Sequence, residues 1–452
     1  MKIDLLVAEI GSTTTVVNAF LGIHTSDPKF LGQGQAPTSV LEGDVTIGLE
    51  GAIEDLRKSL NLSSIDYEEM LATSSAAGGL KMSVHGLVYD MTVRAAKEAA
   101  LGAGAIIHQV TGGKLRRTDI KKIKEISPNL ILIAGGVDYG ERDTALLNAE
   151  MIADSGIKAP IIYAGNIENQ EEIREIFKEK ENKLYVVENV YPKIDELNIE
   201  PTRKVIQDAF EEHIIHAPGM SKVRTMITGP IIPTPGAVME ASKVLQEEIG
   251  DLMTLDVGGA TTDIHSVTEG SEEISRILIS PEPTAKRTVE GDLGVYVNMK
   301  NIVDRIGKDV LSKKLNCDVE ELIKQHKPIP DTDQLKEFVE LLTEEAVLTS
   351  VYRHGGKLRN LYGPAGKKTF AEGKDLTNIK WIIGTGGALT RLPHRVEILK
   401  QIAKSNKGDY LLPNKEAKIL IDDDYIMASL GVLSKKYKEA ALILMKKSLG
   451  LL

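Results

Sequence analysis

Two short segments of this 452-residue chain repeat one pattern, and this repeat constrains the fold more than any other feature. Residues 9–15 read EIGSTTT and residues 256–262 read DVGGATT, so the acidic residue at position 9 recurs at position 256, an offset of 247. In each segment an apolar run ends at an acidic residue, breaks at glycine and resumes with threonine, which is typical of a tight β-hairpin. A repeat at that distance predicts two duplicated halves rather than a solenoid.

Composition limits the classes of partner and environment. The formal net charge is −10 and the basic residues are scattered along the chain, which argues against nucleic acid or an anionic membrane as a main partner. Cys317 is the only cysteine, so an intrachain disulfide is excluded. No run approaches 18 uncharged apolar residues, and no signal-peptide core is present near the start. We therefore expect a cytoplasmic protein that does not span a membrane.

The pattern along the chain predicts an α/β fold. Residues 129–190 alternate as β-α-β-α-β, which is the pattern of a parallel sheet with helical crossovers. Residues 92–110 are rich in alanine and predict one long helix, whereas residues 229–237 contain three prolines and predict a linker or an ordered turn.

The length favours two domains, and the hairpin repeat suggests where they begin. We expect a first half over residues 1–235 and a second half over residues 236–424, the latter with a mainly helical insert near 296–375. Residues 425–452 predict a C-terminal helix that could pack back on the first half.

The two hairpin turns can supply backbone N–H groups to a phosphate chain, because glycine keeps side chains out of the way. The acidic residues before the turns, Glu9 and Asp256, are placed to hold Mg²⁺ through water. The alternative is that both segments are plain hairpins with polar tips. The candidate phosphate-binding residues are Gly11, Ser12, Thr13 and Thr14 in the first turn and Gly258, Gly259, Ala260, Thr261 and Thr262 in the second.

A third glycine loop, IIGTGGAL at residues 382–389, follows an apolar run. Leu389 stands where the dinucleotide-binding fingerprint requires glycine or alanine, and no Walker-type phosphate loop occurs in the sequence. As the last of three glycine turns, the loop suits a surface on which an adenine and a ribose lie against backbone.

These three turns in this order resemble the superfamily of sugar and acetate kinases, actin and the seventy-kilodalton heat-shock chaperones. The resemblance implies two duplicated actin-like ATPase domains with a nucleotide cleft between them, plus inserted α/β segments, and it implies ATP and Mg²⁺ as cofactors. One departure is Glu9, because the first acidic position of the superfamily is usually aspartate. The loop residues assigned to the adenosine by this resemblance are Gly384, Gly386 and Gly387.

A finer resemblance covers nearly the whole chain. The segments TSSAAGGLKM, AGGVDYGERD, YAGN, APGM, PTPGAV, LDVGGATTDIHSV and RTVEGDLG are similar to the accessory or reactivating proteins of adenosylcobalamin-dependent mutases, a family that shares the MutL name. In the superfamily the segment equivalent to EGDLG precedes a helix near the nucleoside. The resemblance therefore adds four candidates, Glu290, Gly291, Asp292 and Gly294.

Several polar residues have both a functional and a structural interpretation. Asp138, beyond a predicted strand, is a candidate to orient the attacking water, but an N-cap or Asx turn explains it equally well. Asp263 could act at the second hairpin or accept hydrogen bonds from that hairpin's own backbone. His213 and His216 are three positions apart, but no third ligand lies near them in the sequence.

The function favoured by these features is an ATP-driven reactivase that binds an adenosylcobalamin-dependent mutase or aminomutase and releases its damaged cobalamin. Magnesium-dependent hydrolysis of ATP to ADP would drive a conformational change. A small-molecule kinase of the same superfamily remains open, with Asp138 or Asp143 as its base. Two further alternatives are an ATP-dependent amide-ring hydrolase and a non-enzymatic, actin-like filament protein.

Overall fold

A computed structural model of the chain describes residues 2–11, 14–39, 44–75, 80–214, 220–363, 366–406 and 408–452. Over these residues the strands are β1 Lys2–Ile10, β2 Thr14–Leu21, β3 Lys29–Pro37, β4 Asp66–Ser74, β5 Lys81–Gly86, β6 Ile106–Gly112, β7 Leu130–Ile133, β8 Ile161–Tyr163, β9 Leu184–Val186, β10 Ile231–Pro233, β11 Leu252–Val257, β12 Thr262–Val267, β13 Ala285–Glu290, β14 Lys357–Gly363, β15 Gly366–Glu372, β16 Trp381–Thr385 and β17 Lys418–Ile421.

The helices alternate with these strands along most of the chain. They are α1 Thr46–Ser59, α2 Arg94–Gly102, α3 Arg117–Ile126, α4 Asp143–Ala153, α5 Gln170–Phe177, α6 Glu200–Ile214, α7 Met220–Met226, α8 Thr234–Ile249, α9 Glu272–Ser275, α10 Met299–Ile306, α11 Lys308–Leu315, α12 Val319–Gln325, α13 Asp333–His354, α14 Gly386–Arg391, α15 Arg395–Ser405, α16 Met427–Ser434 and α17 Lys438–Ser448. A π-helical turn over Tyr89–Val93 precedes α2, and a 3₁₀ turn over Ile167–Asn169 precedes α5.

Two of the five-stranded sheets have the same topology. The first has the order β10-β4-β1-β2-β3 and the second has the order β17-β16-β11-β12-β13. In each, three strands run antiparallel as a meander, and two further strands add in parallel beside the first strand of the hairpin. The predicted α/β class and the predicted duplication are therefore confirmed.

The chain divides into two units, one of Met1–Glu240 with Ala428–Ala441 and the other of Ala241–Met427 with Leu442–Leu452. Each unit contains one of the two sheets of shared topology. The domain boundaries expected after residues 235 and 424 stay predictions.

A third five-stranded sheet is inserted in the first unit, with the all-parallel order β6-β5-β7-β8-β9. The side chains of Leu130 and Leu132 on β7 pack into the core that the inserted sheet shares with the first sheet. Ile131 and Ile133 point to the opposite face, into a second core that includes residues of α3, α4 and α5. Apolar side chains on both faces are typical of a parallel sheet covered by helices, and they explain the near-continuous apolar run of β7.

The prediction of one long helix over residues 92–110 is wrong. Helix α2 ends at Gly102, and Gly104 takes a φ of +95°, which terminates the helix because that conformation is left-handed. The β-branched pair Ile106 and Ile107 then enters β6. Alanine-rich composition predicted the helix correctly up to its glycine stop.

The prediction of a linker or turn over residues 229–237 is also wrong. Ile231–Pro233 form β10, which pairs in parallel with β4 at the edge of the first sheet, and α8 begins at Thr234. Proline fits both places, since Pro233 ends an edge strand and Pro235 lies in the first helical turn, where a missing N–H is tolerated.

Close packing of α1 on the first sheet depends on one glycine of β3. A Cβ built on Gly34 would collide with the carbonyl oxygen of Ala52 and the amide nitrogen of Leu56, and it would lie 2.7 Å from the Cα of Leu56. Helix backbone and strand backbone therefore meet directly at this position, and no side chain fits between them.

We predict that Gly34→Ala lowers the free energy of unfolding by about 1–3 kcal/mol, because the helix must shift to admit the methyl group. Urea denaturation followed by circular dichroism measures the change. The control is Gly291→Ala, because a Cβ at Gly291 would meet no atom within 4 Å. Equal stability of Gly34→Ala and the wild-type chain would contradict this account of the packing.

Candidate functional site

The two hairpin turns close with the same main-chain hydrogen bond. In the first unit the amide of Gly11 donates to the carbonyl oxygen of Thr14 at 3.1 Å, and in the second the amide of Gly258 donates to Thr261 at 2.9 Å. The offset between the paired positions is the 247 residues found in the sequence. The closing hydrogen bond therefore repeats with the sequence; Ser12 and Thr13 lie outside the described residues.

The carbonyl oxygens of the second turn accept hydrogen bonds from the segment that follows β13. The amide of Val295 donates to Gly258 at 3.2 Å, and the amides of Tyr296 and Val297 donate to Gly259 at 2.9 and 2.7 Å. The carbonyl groups of the turn are thus directed into the protein. The N–H group of a peptide points away from its carbonyl group. The N–H groups of this turn therefore lie on its opposite side, where a ligand could approach.

Three amides of the second turn have no protein acceptor among the residues that the structure describes: those of Gly259, Ala260 and Thr261. Gly259 is exposed, and Ala260 and Thr261 are half-buried. Successive free N–H groups in a turn form a concave binding site for anions such as phosphate. In an ordinary hairpin tip the amides face water and no other segment holds the turn in place. Here residues 295–297 hold the turn through its carbonyl groups.

Gly294 sets the distance between the EGDLG segment and the second turn. A Cβ on Gly294 would collide with the carbonyl group of Ala260, so the two backbones are in direct contact. The side-chain amide of Asn298 donates to the carbonyl oxygens of Ala260 and Gly291, each at 2.8 Å. The sequence-predicted residues of EGDLG and of the second turn are therefore brought together.

The acidic residues of EGDLG share one arginine that the sequence analysis missed. Nη1 of Arg353 lies 2.5 Å from Oε2 of Glu290 and 2.7 Å from Oδ1 of Asp292, and Nη2 donates to Oδ2 of Asp292 at 2.9 Å. The hydrogen bond from Arg353 lowers the pKa of Asp292, while burial raises the pKa of Glu290 against the opposing effect of Arg353. Arg353 lies in the last turn of α13, far from EGDLG in the sequence.

The glycines of the third loop have three different surroundings. Gly386 has a φ of +83°, and a Cβ there would collide with Oδ1 of Asp256 and lie 2.6 Å from the amide nitrogen of Val257. The structure thus brings the start of α14 against the predicted metal-binding aspartate. Gly384 allows close packing, because a Cβ built there would lie 2.9 Å from the side chain of Leu399. Gly387 has open space around it.

Asp256 shares one sheet face with a buried ion pair. It lies directly opposite Asp263 in the hairpin register, so both side chains point to the same side. Asp263, which is 5% exposed, is 2.5 Å from the guanidinium of Arg287, and it also accepts a hydrogen bond from the Thr261 hydroxyl at 2.9 Å. Asp263 is therefore an ion-pair partner and a side-chain acceptor within the hairpin. Burial, with the charge of Arg287, lowers the pKa of nearby His265 well below its usual value.

Glu9 holds the first turn of α16. Its Oε1 accepts hydrogen bonds from the amide of Ser429 at 3.0 Å, from the hydroxyl of Ser429 at 2.6 Å and from the side chain of Asn18 at 3.3 Å. The first turn of a helix has unsatisfied N–H groups and a positive dipole end, which favour a carboxylate. This contact gives a physical reason for glutamate at this position, because its longer side chain reaches the helix.

Asp138 lies at the carboxyl edge of the inserted sheet. Its Oδ1 accepts hydrogen bonds from the amide of Ile167 at 2.9 Å and from the side chain of Asn189 at 3.0 Å. Neither contact is an N-cap on α4, which begins at Asp143, so the capping alternative considered for Asp138 is wrong. Both of these partners, Ile167 and Asn189, belong to loops of the inserted sheet, and neither belongs to a hairpin turn.

No three His, Cys, Asp or Glu side chains converge as a metal-binding group over the described residues. Magnesium held through water and phosphate does not need such a group, because one or two carboxylates suffice. His216 lies outside the described residues, and so does the side chain of His213. Among the helices that the structure describes, none combines the length and apolar character needed to cross a bilayer.

A family model described as MutL protein matches residues 5–449. The chain belongs to the MutL family. It is 37% identical to protein MutL of Clostridium tetanomorphum over 459 aligned residues, which cover 98% of each chain. The resemblance to the accessory family that shares this name is therefore confirmed.

Among solved structures, the chain is similar to a nucleotide-free diol dehydratase-reactivating factor, with a TM-score of 0.41 and 9% identity over 97% of this chain and all of the other. It is also similar to the activator of 2-hydroxyisocaproyl-CoA dehydratase from Clostridium difficile with bound ADPNP, with a TM-score of 0.30 and 10% identity. That alignment covers 99% of this chain and 97% of the activator.

We predict that Glu9→Asp and Glu9→Ala both destabilise the first unit, by about 3 kcal/mol for alanine, because the buried donors of Ser429 and Asn18 lose their acceptor. Glu9→Gln keeps the length of the side chain and should cost less. Chemical denaturation at pH 7 compares the three variants, with Glu68→Ala, an exposed glutamate of β4, as the control. An aspartate variant as stable as the wild-type chain would contradict the argument from side-chain length.

Proposed function

We propose that this MutL-family protein is an ATP-dependent reactivating chaperone, which releases inactive cobalamin from an adenosylcobalamin-dependent mutase or aminomutase. The observation that carries the proposal is the second hairpin turn. It has a strand-end carboxylate, three amides without a protein acceptor in the described structure, and a supporting backbone layer from EGDLG. Such a turn suits the phosphate groups of a nucleotide.

The residues around this turn fit a magnesium-nucleotide ligand. Asp256 is half-buried at the end of β11 and could hold Mg²⁺ through water, and the free amides of Gly259, Ala260 and Thr261 could take phosphate oxygens. When bound, Mg²⁺ would neutralise charge on the phosphates. Glu9 remains a proposed carboxylate for the metal, although its Oε1 already binds Ser429 and Asn18.

The adenosine side of the proposed site would use the remaining candidates. Gly387 has no neighbour within 4 Å of a built Cβ, so its backbone is open to a flat ligand. Asp292, held by Arg353, has a lowered pKa and therefore keeps its charge as a possible acceptor for ribose hydroxyl groups. Gly384 and Gly386 would support the adenosine site without contacting the ligand, because each allows neighbouring atoms to pack closely against the loop.

Coupling of ATP to cobalamin release requires that the nucleotide favours one conformation of the protein over another. A ligand shifts such an equilibrium only through its differential affinity, and reversal of a 1:99 population takes about 5.5 kcal/mol. In the proposed cycle, contacts to the triphosphate and its metal would supply that difference. Slow hydrolysis to ADP would then reset the protein.

The kinase alternative needs a carboxylate base beside a substrate hydroxyl. Oδ1 of Asp138 accepts two hydrogen bonds from neighbouring loops, so this residue is better explained as a structural link than as a base. Asp143 is exposed at the start of α4 and has no comparable support. These contacts favour the reactivase over the kinase, and they do not bear on the ring-hydrolase alternative.

The function is tested by cobalamin release. Glutamate mutase and the ornithine and lysine aminomutases are loaded with cyanocobalamin, and free cobalamin is measured by absorbance after filtration, with and without this protein and Mg·ATP. We expect release from one of these enzymes only when the protein and Mg·ATP are both present. Absence of release from all three, together with ATP turnover stimulated by a small metabolite, would favour the kinase or the ring hydrolase.

We predict that Asp256→Ala lowers the affinity for Mg·ATP by at least about tenfold without loss of the fold, because the proposed metal carboxylate is removed. Asp256→Asn keeps the volume packed against Gly386 and should show the same loss. Nucleotide titration by calorimetry, with circular dichroism as the check on folding, measures the effect.

The matched control is Asp309→Asn, an exposed aspartate in the first turn of α11. Its affinity for Mg·ATP should equal that of the wild-type chain. Tight Mg·ATP binding by folded Asp256→Asn would remove Asp256 from the proposed site, and a matching loss in Asp309→Asn would mean that the assay reports net charge.

A further inference from the structure

Three loops at the carboxyl edge of the inserted sheet are tied into one unit by Asp138. They follow β7, β8 and β9, which are neighbours in the sheet. Oδ1 of Asp138 binds the loop after β8 through the amide of Ile167 and the loop after β9 through Asn189. The main-chain amide of Asp138 donates to the carbonyl of Pro192 at 2.9 Å. One residue thus fixes the relative positions of all three loops.

Two buried asparagines complete this link. Asn166 is fully buried, and its side chain accepts from the amide of Tyr139 at 3.1 Å and donates to the carbonyl of Gly140 at 3.2 Å. Asn189, which is 3% exposed, donates to the carbonyl of Gly136 at 2.9 Å. Buried polar networks with satisfied partners make a loop cluster rigid. The loops are therefore a built support for the side chains that they carry.

These rigid loops carry large apolar side chains that point to solvent. Tyr139 is 78% exposed, Ile194 is 70% exposed and Ile167 is 48% exposed. The hydrogen bonds of Asp138 join the backbones at or near these three residues, so they belong to one surface, which we name the loop-edge patch. Exposed apolar groups gathered on a rigid support are typical of a binding surface.

The backbone at the patch is also strained. Tyr139 has a φ of +63° and Asp195, next to Ile194, has a φ of +61°. Left-handed backbone is unfavourable for a bulky residue such as tyrosine, and it persists only where the surroundings impose it. The amide of Asp195 donates to the hydroxyl of Tyr191 at 2.9 Å, which holds the second of these two conformations.

The rim of the loop-edge patch is acidic. The exposed charged side chains on the three loops are five acidic and two basic, which leaves a net charge of −3. The two basic residues, Arg142 and Lys193, form surface ion pairs with Glu168 and Glu196 at 3.9 and 3.3 Å, which add little stability. The five acidic residues are Glu141, Glu168, Glu188, Asp195 and Glu196.

We propose that the loop-edge patch is the surface that binds the client protein, and that the client presents an apolar area with a basic rim. This inference rests on the proposed function, because it identifies where the reactivase holds the mutase. Aromatic and aliphatic anchors at the centre supply affinity, and complementary charge at the rim supplies the rate and the specificity of association. The acidic rim disfavours a phosphate compound or an anionic membrane as the occupant.

The test measures binding of cyanocobalamin-loaded glutamate mutase and the two aminomutases, each immobilised on a sensor, to the full-length protein with Mg·ATP. Tyr139→Ser should weaken binding at least about tenfold, and the triple variant with Ile167→Ser and Ile194→Ser at least about a hundredfold. Added salt should slow association of the wild-type protein. Tyr139→Asn should lose affinity without loss of thermal stability, because asparagine tolerates positive φ.

Matched controls come from the second unit. Tyr362, on β14, is 79% exposed and Ile279 is 55% exposed, so Tyr362→Ser and Ile279→Ser remove comparable apolar surface elsewhere. Both should bind the mutase as the wild-type protein does. Loss of binding in these controls with full binding by the triple variant would place the client at the β14–β15 hairpin and overturn the proposal.

The experiment also separates this inference from the proposed function. Capture of a mutase by the wild-type protein and, with equal affinity, by the triple variant would leave the reactivase standing and refute the loop-edge patch. Failure of the wild-type protein to bind any of the three mutases would refute the proposed function, and the client surface with it. Nucleotide titration of the triple variant must match the wild-type protein, since none of its substitutions lies in a hairpin turn.

Discussion

The hydrogen bond from a turn glycine to a threonine carbonyl is the interaction on which each half of the protein depends. Gly11 donates to Thr14 and Gly258 donates to Thr261, so the same main-chain hydrogen bond closes both hairpins. Closure in this register puts the residue two positions before each glycine at a strand end, on a defined face of its sheet. A shift of the strand pairing by one residue would turn Glu9 or Asp256 to the opposite face of its sheet, away from the candidate site.

The two halves use the same strand-end carboxylate in different ways. Glu9 reaches the first turn of α16 and accepts from Ser429, so it contributes to packing as well as to any metal site. Asp256 is shorter and meets the start of α14, where Gly386 leaves room for it. Glu9 therefore reaches a helix of the first unit, whereas Asp256 meets the start of a helix of the second unit.

The sequence predicted what is local and periodic. The hairpins, their offset and the alternation over residues 129–190 follow from short patterns, and all are present in the structure. The pairing of Arg353 with Asp292 joins residues 61 positions apart, so spacing along the chain gives no sign of it. The contacts of Asp138 escape the sequence for the same reason, since its partners Ile167 and Asn189 lie in two other loops. Helical propensity likewise does not report where a left-handed glycine such as Gly104 stops a helix.

The charge balance at the second turn connects the structure to the proposed chemistry. Asp256 and Asp263 face the same side of the sheet, and two unpaired carboxylates so placed would repel each other. Arg287 forms an ion pair with Asp263 inside the protein, and burial, with the charge of Arg287, disfavours the charged form of His265. In the proposed site the carboxylate of Asp256 attracts the metal cation, and the nearby amides without a protein acceptor bind the anionic phosphate oxygens. Loss of Arg287 would remove the ion-pair partner of Asp263, which faces the same side of the sheet as Asp256.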